Sequence, residues 1–201
     1  SFTHSQQMPD AKQWAEATAK ELNGIHKVKK CFRTLRKDEL KTDKFKGIKI
    51  IPSVMVYKRK INADGSIKSY KARLCAGGHR QVAGDGSFNE TFAPTAALTS
   101  FRFALTMSVN LGLRPYQFDV EQAFLNNELD TLIIMELPPG IEIDGCRHVL
   151  LLKGVYGLKQ APNLWYAQCR EAICKVEPRL TRAKADPCLF HYFGSDFTVL
   201  I

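Results

Sequence analysis

The sequence points to an α+β architecture, because strand-like and helix-like stretches mix without the strict alternation of a doubly wound sheet. Three observations carry that reading. Between residues 51 and 76, two strand-like runs flank a turn, and the second alternates apolar and charged residues. Amphipathic stretches of helical period lie near residues 11–23, 100–111 and from 162 onward. The chain has 201 residues, 45% hydrophobic and 24% charged, enough for one substantial core or two small lobes sharing one.

Element by element, the first helix is predicted over residues 11–23. Asp10 stands as its N-cap, Trp14, Thr18 and Leu22 line one stripe, and Gly24 stops it. Residues 27–49 are polar and read as irregular. Strands over 51–61 and 66–76 form a hairpin through Asn62-Ala63-Asp64-Gly65. In the second of them, Tyr70, Ala72 and Leu74 fall on one face and Lys71 and Arg73 on the other. A glycine-rich loop follows over 77–87. A second helix is predicted over 100–111, capped by Thr99 or Ser100 and closed by Gly112, with Phe101, Ala104, Leu105 and Leu111 as its apolar side. Residues 114–119 read as a short strand and 120–127 as a short helix. Further strands are predicted over 131–137 and 148–153. A third helix opens near Pro162, a favoured first-turn proline, and is expected to bury Trp165, Cys169, Ala172, Ile173 and Val176. The tail reads as a hairpin over 188–193 and 197–201, turning at Gly194-Ser195-Asp196. The sequence stops inside the apolar half of that hairpin, which reads as a truncation.

No apolar run approaches the roughly 20 residues of a membrane-spanning helix, and the first ten residues lack the layout of a secretory signal. A cytoplasmic or nuclear setting is the expectation. The six cysteines (Cys31, Cys75, Cys146, Cys169, Cys174, Cys188) form no Cys-x-x-Cys pair, and the five histidines complete no metal-ligand spacing, so free, partly buried thiols are expected. The net charge of +9 is unevenly placed. Residues 27–80 hold 17 Lys or Arg against 4 Asp or Glu, a local +13 that leaves −4 for the remainder. Such a basic stretch attracts a phosphate backbone, although a solvated basic surface fits the charge equally well.

Three segments could carry chemistry. In the run from Tyr116 to Leu125, Asp119 sits at the predicted exit of a strand, where a carboxylate can offer an oxygen ligand to Mg²⁺. Asp119 with Gln122 three residues on also fits a helix capping box. In the run from Val155 to Pro162, two glycines, Lys159 and Pro162 at a helix start could approach a phosphate or a base pair; an ordinary strand-to-helix turn is the alternative. Lys68, Lys71 and Arg73 could clamp a triphosphate, or form a solvated strand face. No Gly-x-Ser-x-Gly elbow, Walker loop or His-Glu-x-x-His motif occurs, which leaves hydrolase and ATPase readings without support.

In this order, the segments resemble the reverse transcriptase of copia-type LTR retrotransposons. The first block is Tyr70-Lys71-Ala72-Arg73-Leu74 with Arg80-Gln81 and Glu90-Thr91-Phe92-Ala93-Pro94. The second is Phe118-Asp119-Val120, Ala123-Phe124-Leu125-Asn126, Met135-Glu136 and Pro138-Pro139-Gly140. The third is Tyr156-Gly157-Leu158-Lys159-Gln160-Ala161-Pro162 with Trp165, then Asp186-Pro187-Cys188-Leu189-Phe190. The resemblance implies right-hand polymerase fingers and a partial palm. Residues 1–98 would hold the N-terminal helix and basic fingers hairpin, 99–130 the palm with the first catalytic motif, 131–155 the fingers/palm return and 156–201 more palm. It further implies that Asp119 is the first catalytic aspartate and a ligand to two Mg²⁺ (or Mn²⁺) ions, with a backbone oxygen from Val120. Phe124 matches the aromatic steric gate that favours dNTPs. Arg73, with Lys71 and Lys68, would hold the incoming triphosphate. Tyr156, Gly157, Lys159, Gln160 and Pro162 would contact template and primer. The implied partners are an RNA template, a DNA primer, dNTPs and the rest of a pol polyprotein (remaining palm, thumb and RNase H), with no membrane, and in the family a virus-like particle.

Several positions depart from the family pattern. The family's Tyr-Val-Asp-Asp turn, which supplies the other metal-binding aspartates, does not occur in the 201 residues. Gly77 stands where an Arg is usual, His79 replaces an aromatic residue, Asn127 a glycine and Asn163 a basic residue. These changes suit a decayed element, with a divergent active lineage as the alternative, and the chain alone is expected to be inactive. The alternative is a non-catalytic nucleic-acid-binding relic or domesticated protein that uses the basic 27–80 surface.

Overall fold

The computed structural model describes residues 2–193 and 197–200, except the side chains of 193 and 197–200. Its helices are α1 (Phe2–Ser5), α2 (Ala11–Asn23), α3 (Leu98–Asn110) and α4 (Ala161–Val176). Its strands are β1 (Phe32–Leu35), β2 (Ile50–Ile51), β3 (Ser53–Ile61), β4 (Ile67–Ala76), β5 (Glu128–Glu136), β6 (His148–Lys153), β7 (Thr181–Arg182), β8 (Phe190–Phe193) and β9 (Phe197–Leu200). The chain divides into two compact units. One comprises Ser1–Thr91 and Gln122–Leu164, the other Phe92–Glu121 and Trp165–Ile201. The architecture is mixed α and β, as the interleaved sequence pattern predicts.

The first unit holds the main core. A four-stranded sheet runs β1-β6-β5-β2, with β1/β6 and β6/β5 antiparallel and β5/β2 parallel. The apolar run Ile133-Ile134-Met135 is buried on both faces, as continuous apolar strands require. Beside this sheet, β3 and β4 form a two-stranded antiparallel ribbon, closed by Asn62 to Gly65 with Gly65 at φ +83. A proline separates β2 from β3. Pro52 cannot donate to a ladder, so Ile50 and Ile51 pair with β5 while Ser53 opens the ribbon. The predicted single strand over 51–61 is therefore two strands. Strand β1 lies in the stretch expected to be irregular. Its four residues carry little local signal among lysines, and its stability comes from a distant partner, Phe32 facing Leu151.

Helix α2 packs on the ribbon as its apolar stripe predicts. Trp14 meets Tyr57 and Tyr70 edge-on, with ring centroids 5.1 and 4.6 Å apart, and the Thr18 and Tyr57 hydroxyls are 2.9 Å apart. The helix spans the expected residues, with Asp10 at the N-cap and Gly24 at the C-cap, but neither residue acts there as expected. The Asp10 side chain caps no backbone N–H; instead it accepts from Trp14 Nε1 at 3.1 Å and from Arg59. Gly24 does not stop the chain's winding, since it keeps right-handed helical angles and a wider π turn continues to Val28.

In the second unit, α3 starts at Leu98 rather than Ser100. Neither Thr99 nor Ser100 is its N-cap, a place taken by Ala97. The buried carboxylate of Asp186 accepts the Ala97 N–H at 2.9 Å and the Cys188 N–H at 2.9 Å. No residue of α3 is buried, and Leu98, Phe101, Phe103, Leu105 and Val109 stand exposed. Nor does α4 bury the stripe expected of it: Trp165, Cys169 and Ile173 are half-buried, Ala172 is exposed, and Val176 is 86% exposed. Helical periodicity marks which side is apolar but not whether a partner covers it. Strands β7, β8 and β9 form an antiparallel sheet. The turn predicted at Gly194-Ser195-Asp196 lies outside the described residues. All six cysteines are free thiols; Cys31 is fully buried, and burial pushes its pKa up to about 11. Among the described residues, no helix is long and apolar enough to cross a membrane.

Candidate functional site

The β3–β4 ribbon fixes the basic residues by register. Arg73 faces Val56, Lys71 faces Lys58, and Ser69 faces Lys60. Two-residue alternation then puts Lys58, Lys60, Lys71 and Arg73 on one exposed face, with Met55, Ala72 and Leu74 buried on the other. Two lysines directly opposite each other repel. The Lys71 charge also reaches its diagonal neighbour Lys60, which faces Ser69, and is the chief cause that holds the Lys60 pKa below the ordinary lysine value. Lys68 is placed differently. Ile67 pairs with Ile61 and Ser69 with Lys60, so Lys68 is the extra residue of a bulge and falls out of register with the basic face.

Arg73 projects toward a second motif. Its guanidinium carbon lies 5.5 Å from the centre of the Tyr156 ring, and the Phe124 ring meets that same ring edge-on at 6.2 Å. Residues from three separated segments of sequence thus converge. Backbone contacts hold them in place: the Ala76 N–H donates to Tyr156 O at 2.7 Å, and the Gly154 N–H donates to Asn127 O at 2.8 Å. Beneath the ribbon, half-buried Glu21 of α2 accepts the Leu74 N–H at 3.1 Å. Burial raises the Glu21 pKa, with the Leu74 N–H and the Arg73 charge opposing the rise. Sequence reasoning missed Glu21, although a carboxylate seven residues after Trp14 on the inward stripe of α2 was a usable signal. It also missed Lys58 and Lys60, which follow from Lys71 and Arg73 once the hairpin register is drawn.

The turn between β6 and α4 makes tight backbone contacts. Gly157 adopts φ +90, and a Cβ there would lie 2.3 Å from Ala76 O; at Gly78 a Cβ would lie 2.0 Å from Gly157 O. Gly77 has less room than an arginine requires, because its Cβ would sit 2.9 Å from Pro52. Tyr156 and Pro162 are half-buried, and Gly157 and Lys159 are exposed. Gln160 is fully buried, with its side chain hydrogen-bonded to Gln81, Ser87 O and Thr131.

Asp119 and Val120 belong to the second unit, in an exposed, irregular stretch over 113–120. The strand expected over 114–119 is absent, since no described strand pairs with it. The helix expected over 120–127 is reduced to a 3₁₀ turn over Ala123–Asn126. The Asp119–Gln122 capping box does not form either: Gln122 itself precedes the turn, with left-handed φ of 52 and no side-chain cap. Among the described residues, no three His, Cys, Asp or Glu side chains gather into a set able to hold a metal ion. Asp119 offers a single exposed carboxylate, and a hard divalent ion wants several oxygen ligands. These residues alone do not build a two-ion site.

Comparison with known proteins gives one consistent result. The family model described as reverse transcriptase (RNA-dependent DNA polymerase) matches residues 39–201. A retrovirus-related Pol polyprotein from transposon TNT 1-94 of Nicotiana tabacum is 36% identical over 160 residues, covering 78% of this chain and 12% of the relative. The Pol polyprotein from transposon RE2 of Arabidopsis thaliana is 38% identical over 132 residues, covering 65% of the chain and 9% of the relative. A Ty1-BL Gag-Pol polyprotein of Saccharomyces cerevisiae is 25% identical, covering 87% of the chain and 9% of the relative. The chain thus spans about a tenth of the length of these curated relatives. No solved structure gives a significant match. With four-fifths of its length inside the family match and its relatives drawn from copia-type transposons, this chain belongs to the reverse transcriptase (RNA-dependent DNA polymerase) family.

Proposed function

We propose that this chain is the part of an RNA-directed DNA polymerase that receives the incoming dNTP and the template–primer, formed from fingers and part of a palm. The observation that carries the proposal is the convergence of Arg73, Tyr156 and Phe124 beside a ribbon face of four cations. Arg73 holds the triphosphate through its planar fork, with Lys71 as a point charge beside it and Lys68 contributing from the bulge. Phe124 acts as the steric gate against a ribose 2′-hydroxyl. Tyr156, Gly157, Lys159 and Pro162 line the path of template and primer. Asp119 supplies one carboxylate, and Val120 one backbone oxygen, toward the divalent ions that serve nucleotidyl transfer in the complete protein. The other carboxylates, and the rest of the pol polyprotein, come from outside these 201 residues.

Triphosphate binding tests the proposal directly. Purified chain titrated with dNTP should show an affinity that falls about tenfold or more in Arg73→Ala, as expected for a charge-assisted contact. It should be retained in Asp119→Ala when no divalent ion is present. Equal affinity in the wild type and Arg73→Ala would overturn the assignment. The 201 residues alone should give no templated incorporation. A second reading, a non-catalytic nucleic-acid binder, draws on the same Lys58–Lys71 face. It gains if a longer protein with all its carboxylates still fails to incorporate dNTP while binding duplex in a salt-dependent way.

A further inference from the structure

Gln81 and Gln160 lie 79 residues apart in sequence, yet both are buried, 1% and 0% exposed, and bonded to one another. Gln81 Nε2 donates to Gln160 Oε1 at 2.9 Å and to Ser87 O at 2.9 Å. Gln160 Nε2 donates to Ser87 O at 3.0 Å and to Thr131 Oγ1 at 3.1 Å. The one remaining amide acceptor, Gln81 Oε1, receives the Lys159 N–H at 2.9 Å. Every polar atom of the two amides is thereby partnered, the condition under which a buried polar network fixes one arrangement. The network ties three places together: the glycine-rich loop up to Ser87, strand β5 at Thr131, and the turn ahead of α4.

Lys159 is what the network holds. Its ammonium donates to Gln81 O at 2.8 Å and stands 5.1 Å over the Phe88 ring, while the residue stays exposed. A free lysine loses rotamer freedom when it takes up a phosphate. Here much of that freedom is already gone, and the ammonium has two donors left over.

We propose that Gln81 and Gln160 are positioning residues, a clasp that fixes the Lys159 ammonium as a preorganised contact for a backbone phosphate of the nucleic acid. The inference rests on the reading of this unit as a template–primer surface, and it gives Gln160 a role through Lys159 rather than by touching nucleic acid. The family resemblance grouped Gln160 with Lys159 among the template and primer contacts; its burial separates the two.

The test is fluorescence anisotropy of a labelled RNA–DNA hybrid oligonucleotide with the 201-residue chain, repeated over a salt series. Lys159→Ala should weaken binding about threefold to tenfold and reduce the slope of log K against log salt by about one. Gln160→Leu should lose the same slope, and the double variant no more than either alone. A purely structural defect would lower thermal stability and the active fraction but leave the slope unchanged. Should Gln160→Leu fail to fold, Gln160→Glu is read on the same axis, because it keeps an acceptor for Gln81 and loses both donors. The wild-type chain reports on the underlying reading: affinity for the hybrid that is absent or indifferent to salt means that the nucleic-acid surface itself is wrongly placed. If the wild-type affinity falls with salt but Lys159→Ala or Gln160→Leu leaves the slope unchanged, the clasp alone is overturned.

Discussion

Replacing Asn127 should stabilise the first unit. The residue is 3% exposed, and neither atom of its side-chain amide has a hydrogen-bond partner. A buried amide left unpaired costs about 1–3 kcal/mol on the mutational scale. The backbone there, φ −93 and ψ 132, is open to any residue, so no glycine is needed for conformation. Asn127→Gly removes the amide, but it gives back about 0.5–1 kcal/mol in backbone entropy. Asn127→Ala avoids that loss and leaves a small void. We expect a net gain of about 1 kcal/mol for the alanine variant and somewhat less for the glycine. In a protein of this size that corresponds to a rise in Tm of about 2–4 °C. Urea denaturation followed by circular dichroism should show a higher midpoint with an unchanged slope. A fall in Tm of several degrees in both variants would refute the reasoning, since it would mean that the amide is satisfied in solution and contributes to the fold.

Two carboxylates should respond to pH in opposite senses. Asp186 is held below its ordinary pKa by Ser100 first and then by the Ala97 and Cys188 N–H groups. Its contribution to stability is therefore fully present above the unfolded value and is lost as pH falls through the folded one. Asp186→Ala should destabilise the second unit by about 2–3 kcal/mol near neutrality, lessening in acid, as thermal melts across pH 3–7 would record. Glu21 has a folded pKa raised by burial, so its ionised form opposes folding above that value, and the opposition eases as pH falls through it. Glu21→Gln keeps an acceptor for the Leu74 N–H, and it should raise Tm at pH 7 but not at pH 4. An equal gain at both values would reject burial of the charge as the cause.

How much the sequence disclosed depended on whether the relevant partner was near or far along the chain. The ribbon was legible because alternation and an Asn62-to-Gly65 turn are local, and so was α2, whose Trp14, Thr18 and Leu22 stripe needs only its own period. Strand β1 was not, since Phe32 and Leu35 are strand residues only by pairing with Leu151 and His148. Residues 114–119 failed in the opposite direction: they read as a short strand, but no described strand lies beside them. At the site, motif order singled out Arg73, Phe124 and Tyr156, which the fold does bring together. It could not reveal the Gln81–Gln160 pair, because burial of two amides against each other depends on a contact across 79 residues. Nor could it show that Lys68 slips out of register, which follows from a single-residue bulge.

The most direct check is photo-crosslinking of an azido-dNTP to the 201-residue chain, followed by peptide mapping by mass spectrometry. Label should appear on the peptides containing Arg73 and Tyr156, compete away with unlabelled dNTP, and fall sharply in Arg73→Ala. Label confined to other peptides, or undiminished in Arg73→Ala, would contradict a triphosphate site built on the ribbon face beside Tyr156 and Phe124.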